Sequence, residues 1–375
     1  MRIAVNVRLL LAGKLEGIGW FTFETLQRIT RQHPEHEFLF LFDRPFDPQF
    51  IFADNITPLV IPPPTRHPVL WYLWFEGQLP RILKKHKADL LLLPDAFGSL
   101  RCPVPFVSVI HDINFEHYPK ALAKSHSWFY RKFTPRYAHA ARRVATVSEA
   151  SKQDLVTSYG VAADKIDVVY NGVNPRYQPI DPKAIAATRD KYSAGVPYFL
   201  FIGSLHPRKN LARLFQAFDR FRANTSGKEK LLIVGVPKWW TGEMRGAYES
   251  MRFKEEVIFA GHLEPGELHQ VIASALAMVY VSYFEGFGIP ILEGFQCRVP
   301  VLTSNLSSMP EVAGGAARLV DPFSVADIAR GLEELAQDPE LRQQLIALGE
   351  QRVKDFSWQA TADRLWNCLQ TAIHA

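Results

Sequence analysis

Residues 280–293 read Tyr280-Val281-Ser282-Tyr283-Phe284-Glu285-Gly286-Phe287-Gly288-Ile289-Pro290-Ile291-Leu292-Glu293. The apolar run Ala277–Val281 predicts a strand ending near Ser282. A glycine-rich turn follows, and Pro290 stands where the first helical position would be. A strand, a glycine turn and a helix in immediate succession make the repeating unit of an α/β chain with parallel sheets. Glu285 then lies at a strand's carboxyl end, and Glu293 lies one turn into the next helix. The backbone N–H groups of Gly286, Phe287, Gly288 and Ile289 would point out of that helix start, which suits an anion. A carboxylate beside an anion site makes chemical sense where it accepts hydrogen bonds from hydroxyls, and sugar hydroxyls fit. Taken singly, either glutamate would read as an ordinary solvated side chain.

The same alternation runs through the rest of the chain. Apolar runs stand at Ile3–Val7, Phe38–Phe42, Leu59–Ile61, Leu90–Leu93, Phe106–Ile110, Val144–Val147 and Ile166–Tyr170. They continue at Tyr198–Ile202, Leu231–Val234, Val257–Ala260 and Val299–Leu302. Most are continuous rather than alternating in polarity, as expected of parallel strands covered by helices on both faces. Helical patterns fill the gaps, most clearly at Phe21–Arg31, Trp74–Lys87, Ser125–His139 and Leu211–Arg222. Pro179, Asp181 and Pro182 break the pattern just after Asn171-Gly172-Val173-Asn174. The boundary is therefore set between residues 1–178 and 179–356. A last helix over 357–375 starts at an N-cap, Ser357. Trp358, Ala362, Leu365, Trp366, Leu369 and Ile373 form its apolar stripe, which is read as packing back across the domains. The fold class is α/β, with two Rossmann-like domains whose parallel sheets face each other. Ligands bind such sheets at the carboxyl ends of the strands, so the expected site is the central cleft.

Length and composition agree. The chain has 375 residues, enough for two domains of about 150 residues or more. Hydrophobic residues make up 47% and charged residues 22%, which excludes a disordered chain, a collagen and a coiled-coil rod. Cys102, Cys297 and Cys368 are too scattered for a disulfide framework or a four-ligand zinc site and fit a reducing, cytoplasmic compartment. No apolar run approaches the roughly 18–20 residues of a membrane span. Arg8 interrupts the apolar start, so Met1–Gly13 reads as a first strand rather than a leader. The net charge of +5 is uneven: residues 1–180 hold 22 Lys and Arg against 16 Asp and Glu, and residues 181–375 hold 21 against 22. The basic half is suited to an acidic partner.

A second motif carries charge. Phe201-Ile202-Gly203-Ser204-Leu205-His206-Pro207-Arg208-Lys209-Asn210 follows a strand and opens the helix at Leu211. Two adjacent cations at a helix start oppose the helix dipole, by a few tenths of a kcal/mol to about 1 kcal/mol, and suggest a bound anion. A diphosphate would be held by Arg208 as a fork and by Lys209 as a point charge. A solvated basic turn is the plain alternative.

Glu285 and Glu293 inside EGFGIPILE match the E-x7-E signature of family 4 glycosyltransferases, and the intervening G-F-G-I-P agrees as well. The resemblance extends over nearly the whole chain. It implies a retaining enzyme of the two-Rossmann GT-B fold, with a C-terminal domain that binds a nucleotide sugar and an N-terminal domain on the acceptor side. It also implies that Lys209 neutralises the donor diphosphate. Ser204 stands where the family commonly has an arginine, and Arg208 takes that part in the P-R-K-N variant of some members. Glu285 would bind hydroxyls of the donor sugar and Glu293 the ribose hydroxyls. The resemblance further places Gly17-Ile18-Gly19 near donor phosphate or acceptor and His111 near the transferred sugar. The backbone around Gly261-His262-Leu263 would frame the base. By position alone Gly17 and Gly19 could form a plain turn, and His111 ends a strand, where a structural histidine is also common. Asp112 is read as structural and Ser148 as a helix cap.

The P-R-K-N loop resembles mannosyl- and rhamnosyltransferases of bacterial surface polysaccharide assembly, which favours GDP-mannose. No Asp-x-Asp signature stands at a strand end, so no metal and no other cofactor is expected. The partners expected are a nucleotide-sugar donor and a glycan or lipid-linked acceptor. Lys124–Arg143 interleaves Lys124, Arg131, Lys132, Arg136, Arg142 and Arg143 with Trp128, Phe129, Tyr130, Phe133 and Tyr137, while Arg81, Lys84, Lys85 and Lys87 form a second cluster. Neither stretch matches a nucleic-acid module. Peripheral contact with an anionic membrane at its inner face is one reading, and aromatics packed inside with solvated cations is the other. Alternatives to transfer are a GT-B epimerase or phosphorylase, and a non-catalytic nucleotide-sugar-binding protein on the membrane.

Overall fold

β1 (Arg2–Asn6), β2 (Glu37–Phe42), β3 (Ile56–Val60), β4 (Leu90–Leu93), β5 (Phe106–Val109), β6 (Arg143–Thr146) and β7 (Ile166–Val168) build one sheet in the order β3-β2-β1-β4-β5-β6-β7. β8 (Tyr198–Ile202), β9 (Lys230–Val234), β10 (Val257–Gly261), β11 (Ala277–Tyr280), β12 (Val301–Ser304) and β13 (Arg318–Val320) build a second, in the order β10-β9-β8-β11-β12-β13. This is a computed structural model, and it describes residues 1–119, 122–236 and 240–374. Neighbouring strands pair in parallel in both sheets. The expected apolar runs all become strands. β13 escaped the sequence reading because it has only three residues and begins with Arg318.

The chain divides into two units, Met1–Gly172 with Ser357–Ala375, and Val173–Phe356. The division falls a few residues ahead of the 178/179 boundary expected from the prolines. The final helix, Trp358–His374, belongs to the first unit. Its start is capped as expected, with Ala360 N donating to Ser357 Oγ at 3.1 Å. Trp358, Ala362, Leu365, Trp366 and Leu369 are buried, and Trp366 stacks on His33 with centroids 3.8 Å apart. Thr361 Oγ1 donates to Tyr170 O at 2.7 Å, which ties the helix to the chain just past β7.

Continuous apolar strands follow from two-sided burial. Tyr198, Phe199, Leu200 and Phe201 of β8 are fully inaccessible. The helix Leu211–Asn224 lays Leu211, Leu214, Phe215, Phe218 and Phe221 into the second core, where each buried side chain contributes roughly 1.5–3 kcal/mol. In each sheet the strand order reverses once, between β1 and β4 and between β8 and β11. Loops leaving the carboxyl ends of these neighbours diverge to opposite faces and leave a crevice. Among the described residues, no helix is long and apolar enough to cross a membrane.

Candidate active site

The loops after β8 and β11, at the reversal point of the second sheet, carry the charged motifs. Pro207–Lys209 forms one turn of 3-10 helix, with the His206 side chain accepting from Arg208 N at 3.2 Å. Asn210 closes it in the left-handed region, φ 65°. Its Nδ2 donates to Val281 O at 3.0 Å and to Pro322 O at 2.6 Å. Tyr283 N donates to Arg208 O at 3.0 Å. The two loops are thus sewn together by backbone-directed bonds, and Arg208 and Lys209 are held beside the turn that carries Glu285.

Glu285 stands between the two cations. Lys209 Nζ lies 2.6 Å from Glu285 Oε1, and Arg208 Nη1 pairs with Glu285 Oε2 and also donates to Phe284 O at 3.2 Å. The side chains of Glu285 and Lys209 are 8% and 10% exposed, and that of Arg208 22%. Burial works to raise the Glu285 carboxyl, but the charges of Arg208 and then Lys209 outweigh it and hold it at about 2. Lys209 Nζ also donates to Tyr280 Oη and lies 4.5 Å from the centre of that ring. The Tyr280 phenol stays protonated: burial first, and the Glu285 charge second, push it well above its ordinary value. Gly203 backs the lysine, its hypothetical Cβ falling 3.7 Å from Lys209 Cε.

The Glu285 turn is clamped from β12's side. Ser307 Oγ donates to Glu285 O at 2.6 Å, and Ser308 Oγ donates to Glu285 O at 2.9 Å and to Phe287 O at 2.8 Å. Gly288 then adopts φ 105°, which favours glycine, and caps the helix Ile289–Gln296 without a side-chain hydrogen bond. Pro290 is therefore the second helical residue rather than the first. Gly286, Phe287 and Gly288 are buried, and Ile289 is half-buried. This arrangement presents a helix start, two cations and one carboxylate at one reversal point.

Glu293 lies further along the same helix and has different company. Burial raises its carboxyl to about 7, against a hydrogen bond with Tyr177 that lowers it. Ser204 is exposed, and Leu263 is buried at the end of β10. Among the described residues, no three His, Cys, Asp or Glu side chains come together to hold a metal ion.

The remaining expected residues belong to the first unit. His111 follows β5, and its Nε2 donates to Pro94 O at 2.9 Å while Phe21 meets the ring edge-on at 4.9 Å. Burial lowers its pKa, which favours the neutral ring and leaves Nδ1 as an acceptor. Asp112 stands one residue ahead of the cap of the short helix Asn114–His117 and accepts from Asn114 N at 3.0 Å, a local structural bond. Gly17 and Gly19 correct the sequence reading: they lie within the first turn of the helix Gly17–Gln32 rather than in a loop ahead of it. A Cβ on Gly19 would stand 3.0 Å from Leu9 O and 3.1 Å from Leu15 Cδ2, so this glycine lets the helix start pack against its own approach loop.

Sequence reasoning missed several members of these sites. Tyr280, Ser307 and Ser308 carry no motif of their own, and Asn210 stands in the P-R-K-N loop without a role assigned to it; proximity to the charged triad is what marks all four. In the first unit the reversal point holds a buried network: Asp95 accepts from Asn6 Nδ2 at 2.9 Å through both oxygens and pairs with Arg8 Nε at 2.5 Å. Arg8 also lies 4.3 Å from the centre of the Phe97 ring. Its place straight after β1, which the sequence showed only as an interruption of an apolar run, was the available signal. Of the basic aromatic stretch, Phe129, Phe133 and Tyr137 are buried, Arg131 pairs with Glu116 and Arg143 with Asp167.

Comparison with known proteins gives these features a context. The model of Glycosyltransferase Family 4 matches residues 15–177, and that of Glycosyl transferases group 1 matches residues 187–352. The O-antigen chain mannosyltransferase B of Escherichia coli is 30% identical over 275 residues, which are 72% of this chain and 69% of that protein. The O-antigen chain mannosyltransferase RfbU of Salmonella typhimurium is 24% identical over 73% of this chain and 72% of its own. Among solved structures, Anabaena HepE in complex with UDP-glucose superposes with TM-score 0.75 at 17% identity, over 99% of each chain. WaaG, a glycosyltransferase of lipopolysaccharide biosynthesis, superposes with TM-score 0.71 at 16% identity, over 98% of this chain and 99% of its own. Two parallel Rossmann-like sheets of this topology make a GT-B fold, and the chain belongs to the glycosyltransferases whose first half is of Glycosyltransferase Family 4 type and whose second half is of group 1 type.

Proposed function

We propose that this glycosyltransferase moves a hexosyl group, mannose by preference, from a nucleoside diphosphate sugar to a hydroxyl of a glycan or lipid-linked acceptor, with retention at the anomeric carbon. The observation that carries the reading is the Arg208–Glu285–Lys209 triad, two cations on one carboxylate at the reversal point of the second sheet. As the anomeric C–O bond of the donor breaks, negative charge develops on the leaving diphosphate. Arg208 and Lys209 offset that charge from fixed positions, which lowers the barrier because little reorganisation is needed as the charge forms. Glu285 keeps the two cations in place before the donor arrives and turns its acceptor lone pairs to the sugar hydroxyls once the diphosphate engages them. Glu293, half-buried and hydrogen-bonded with Tyr177, takes the ribose hydroxyls. His111, with a neutral ring and an accepting Nδ1, serves the acceptor side.

Mannose as the sugar, carried as GDP-mannose, is supported by the mannosyltransferase relatives. The protein cations supply the role a divalent ion would otherwise fill, so no metal or other cofactor is required. The reaction belongs to the cytoplasm, where three free cysteines fit the reducing conditions, and the acceptor side faces an anionic membrane.

The test is transfer measured with candidate donors and an acceptor, for wild type, Glu285→Ala and Lys209→Ala. The expected result is turnover with GDP-mannose, unchanged by chelator, and a loss of about 100-fold or more in both variants. Product analysis by NMR reads the anomeric configuration. Wild-type rates in both variants would remove the triad from the chemistry.

A further inference from the structure

The three most exposed large apolar side chains among the described residues are Val69 (60%), Trp128 (57%) and Leu73 (52%), and all lie in the first unit. Val69 and Leu73, with Tyr72, fall three and four residues apart on the helix Pro68–Leu73, so they share one face. Trp128 lies on the helix Lys124–Ala140. The two groups meet over Phe133, whose ring centre is 5.9 Å from that of Tyr72 and 6.2 Å from that of Trp128. Phe133 itself is buried and forms the floor. An apolar patch of this kind, left in water, marks an interaction surface.

Its charge narrows the partner. Trp128, Lys132 and Arg136 follow at intervals of four on one helical stripe, and both cations are exposed. Lys132 Nζ lies 4.7 Å from the centre of the Trp128 ring, and Arg136 Cζ 5.9 Å from that of Phe133. The helix Lys124–Ala140 contains no Asp or Glu at all. Between Pro68 and Lys85 the sole acid is Glu76, which is buried and accepts from Leu100 N at 3.0 Å and Arg101 N at 3.2 Å. That segment ends in exposed Arg81, Lys84 and Lys85. A protein interface is depleted in lysine, whereas tryptophan and tyrosine with neighbouring lysine and arginine suit the boundary between lipid headgroups and acyl chains.

We propose that this face of the first unit docks on an anionic lipid bilayer. Val69, Leu73 and Trp128 enter the headgroup boundary, Tyr72 sits at its edge, and Lys132 and Arg136 meet lipid phosphates. The apolar stripe on Pro68–Leu73 supplies what the basic stretch lacks, since most of the aromatics of residues 124–143 are spent on the core. The proposal rests on the reading of a membrane-facing acceptor side and gives that reading a surface; it is tested through binding, so its failure is told apart from a failure of sugar transfer.

The experiment is cosedimentation of the full chain with phosphatidylcholine vesicles, with and without phosphatidylglycerol, across a salt series. Binding is expected on the phosphatidylglycerol vesicles, falling as salt shortens the screening length. The pair Lys132→Glu with Arg136→Glu should weaken it about tenfold or more, because each cation near such a surface contributes separately. Leu73→Ser with Trp128→Ser should weaken it comparably, with an unchanged far-ultraviolet circular dichroism spectrum. Arg220→Glu with Lys254→Glu, exposed cations of the second unit, should leave it intact. Absence of binding to the anionic vesicles overturns the proposal, as does binding that neither first-unit pair alters. A dimer seen by light scattering that Leu73→Ser with Trp128→Ser abolishes, without vesicle binding, assigns the patch to contact between copies and overturns it equally.

Discussion

Lys209 Nζ and Glu285 Oε1 stand 2.6 Å apart although 76 positions separate them in the chain. The contact joins the loop after β8 to the loop after β11, the two strands between which the sheet order reverses. A buried pair of this kind is held at the expense of solvation, and removing one partner strands the other.

The first consequence is acid sensitivity. The Glu285 carboxyl is held at about 2, below the ordinary 4.5. A depressed carboxyl contributes stability that is present above its unfolded pKa and lost as the pH falls through the folded one. The loss is on the order of 3 kcal/mol between about pH 5 and pH 2. Urea unfolding of wild type and Glu285→Gln at pH 7, 5 and 3 reads it. The variant should be less stable at pH 7 and its stability should fall less steeply with acid. Parallel curves would show that the pair contributes nothing to folding.

Tyr280 positions the lysine through its hydroxyl. Tyr280→Phe keeps the ring beneath the ammonium and removes the oxygen that accepts from it. One lost hydrogen bond corresponds to about 1 kcal/mol of stability. The expected kinetic result is a fall of about tenfold in kcat with little change in KM, since the cation remains but is less well aimed. A variant with wild-type kcat would mean that packing alone holds Lys209.

Gly235 should resist substitution. Its φ is 155°, and a Cβ there would fall 2.0 Å from Gly203 O. The two nearest atoms, Gly203 O and C, are backbone, so relief requires moving the strand end that leads to Arg208 and Lys209. Gly235→Ala should lower the melting temperature by about 5 °C or more and reduce activity with it. Gly266→Ala, with nothing within 4 Å, is the control and should match wild type or exceed it.

Glu293 reverses the sign found for Glu285. Its carboxyl is raised to about 7 by burial, against the Tyr177 hydrogen bond. A raised carboxyl contributes stability that is complete below its unfolded pKa and is lost as the pH rises through the folded one. The melting temperature should therefore drop between pH 5 and pH 8 in wild type and stay flatter in Glu293→Gln. Tyr177→Phe removes the lowering bond and should move the midpoint upward. A melting temperature with the same pH dependence in all three proteins would place Glu293 in water.

The chain's own order of residues settled a good deal. Apolar runs such as Leu90–Leu93 and Tyr198–Ile202 are strands as written, because a strand buried on both faces needs no pattern beyond apolarity. Ser148 and Ser357 cap helices as read, through local side-chain-to-backbone bonds that need nothing distant. The E-x7-E spacing and the P-R-K-N loop marked the charged residues. Tertiary structure alone decided which groups share a site. Glu285 is bound by both cations, Tyr280 holds the lysine, and Asn210 joins the two loops, all through contacts across some seventy positions of sequence. It also placed Gly17 and Gly19 inside a helix and joined Trp128 to Tyr72 over Phe133. The reason is physical: periodicity and caps are local energies written along the chain, whereas ion pairs, shifted pKa values and exposed patches depend on which side chains the sheet order brings together.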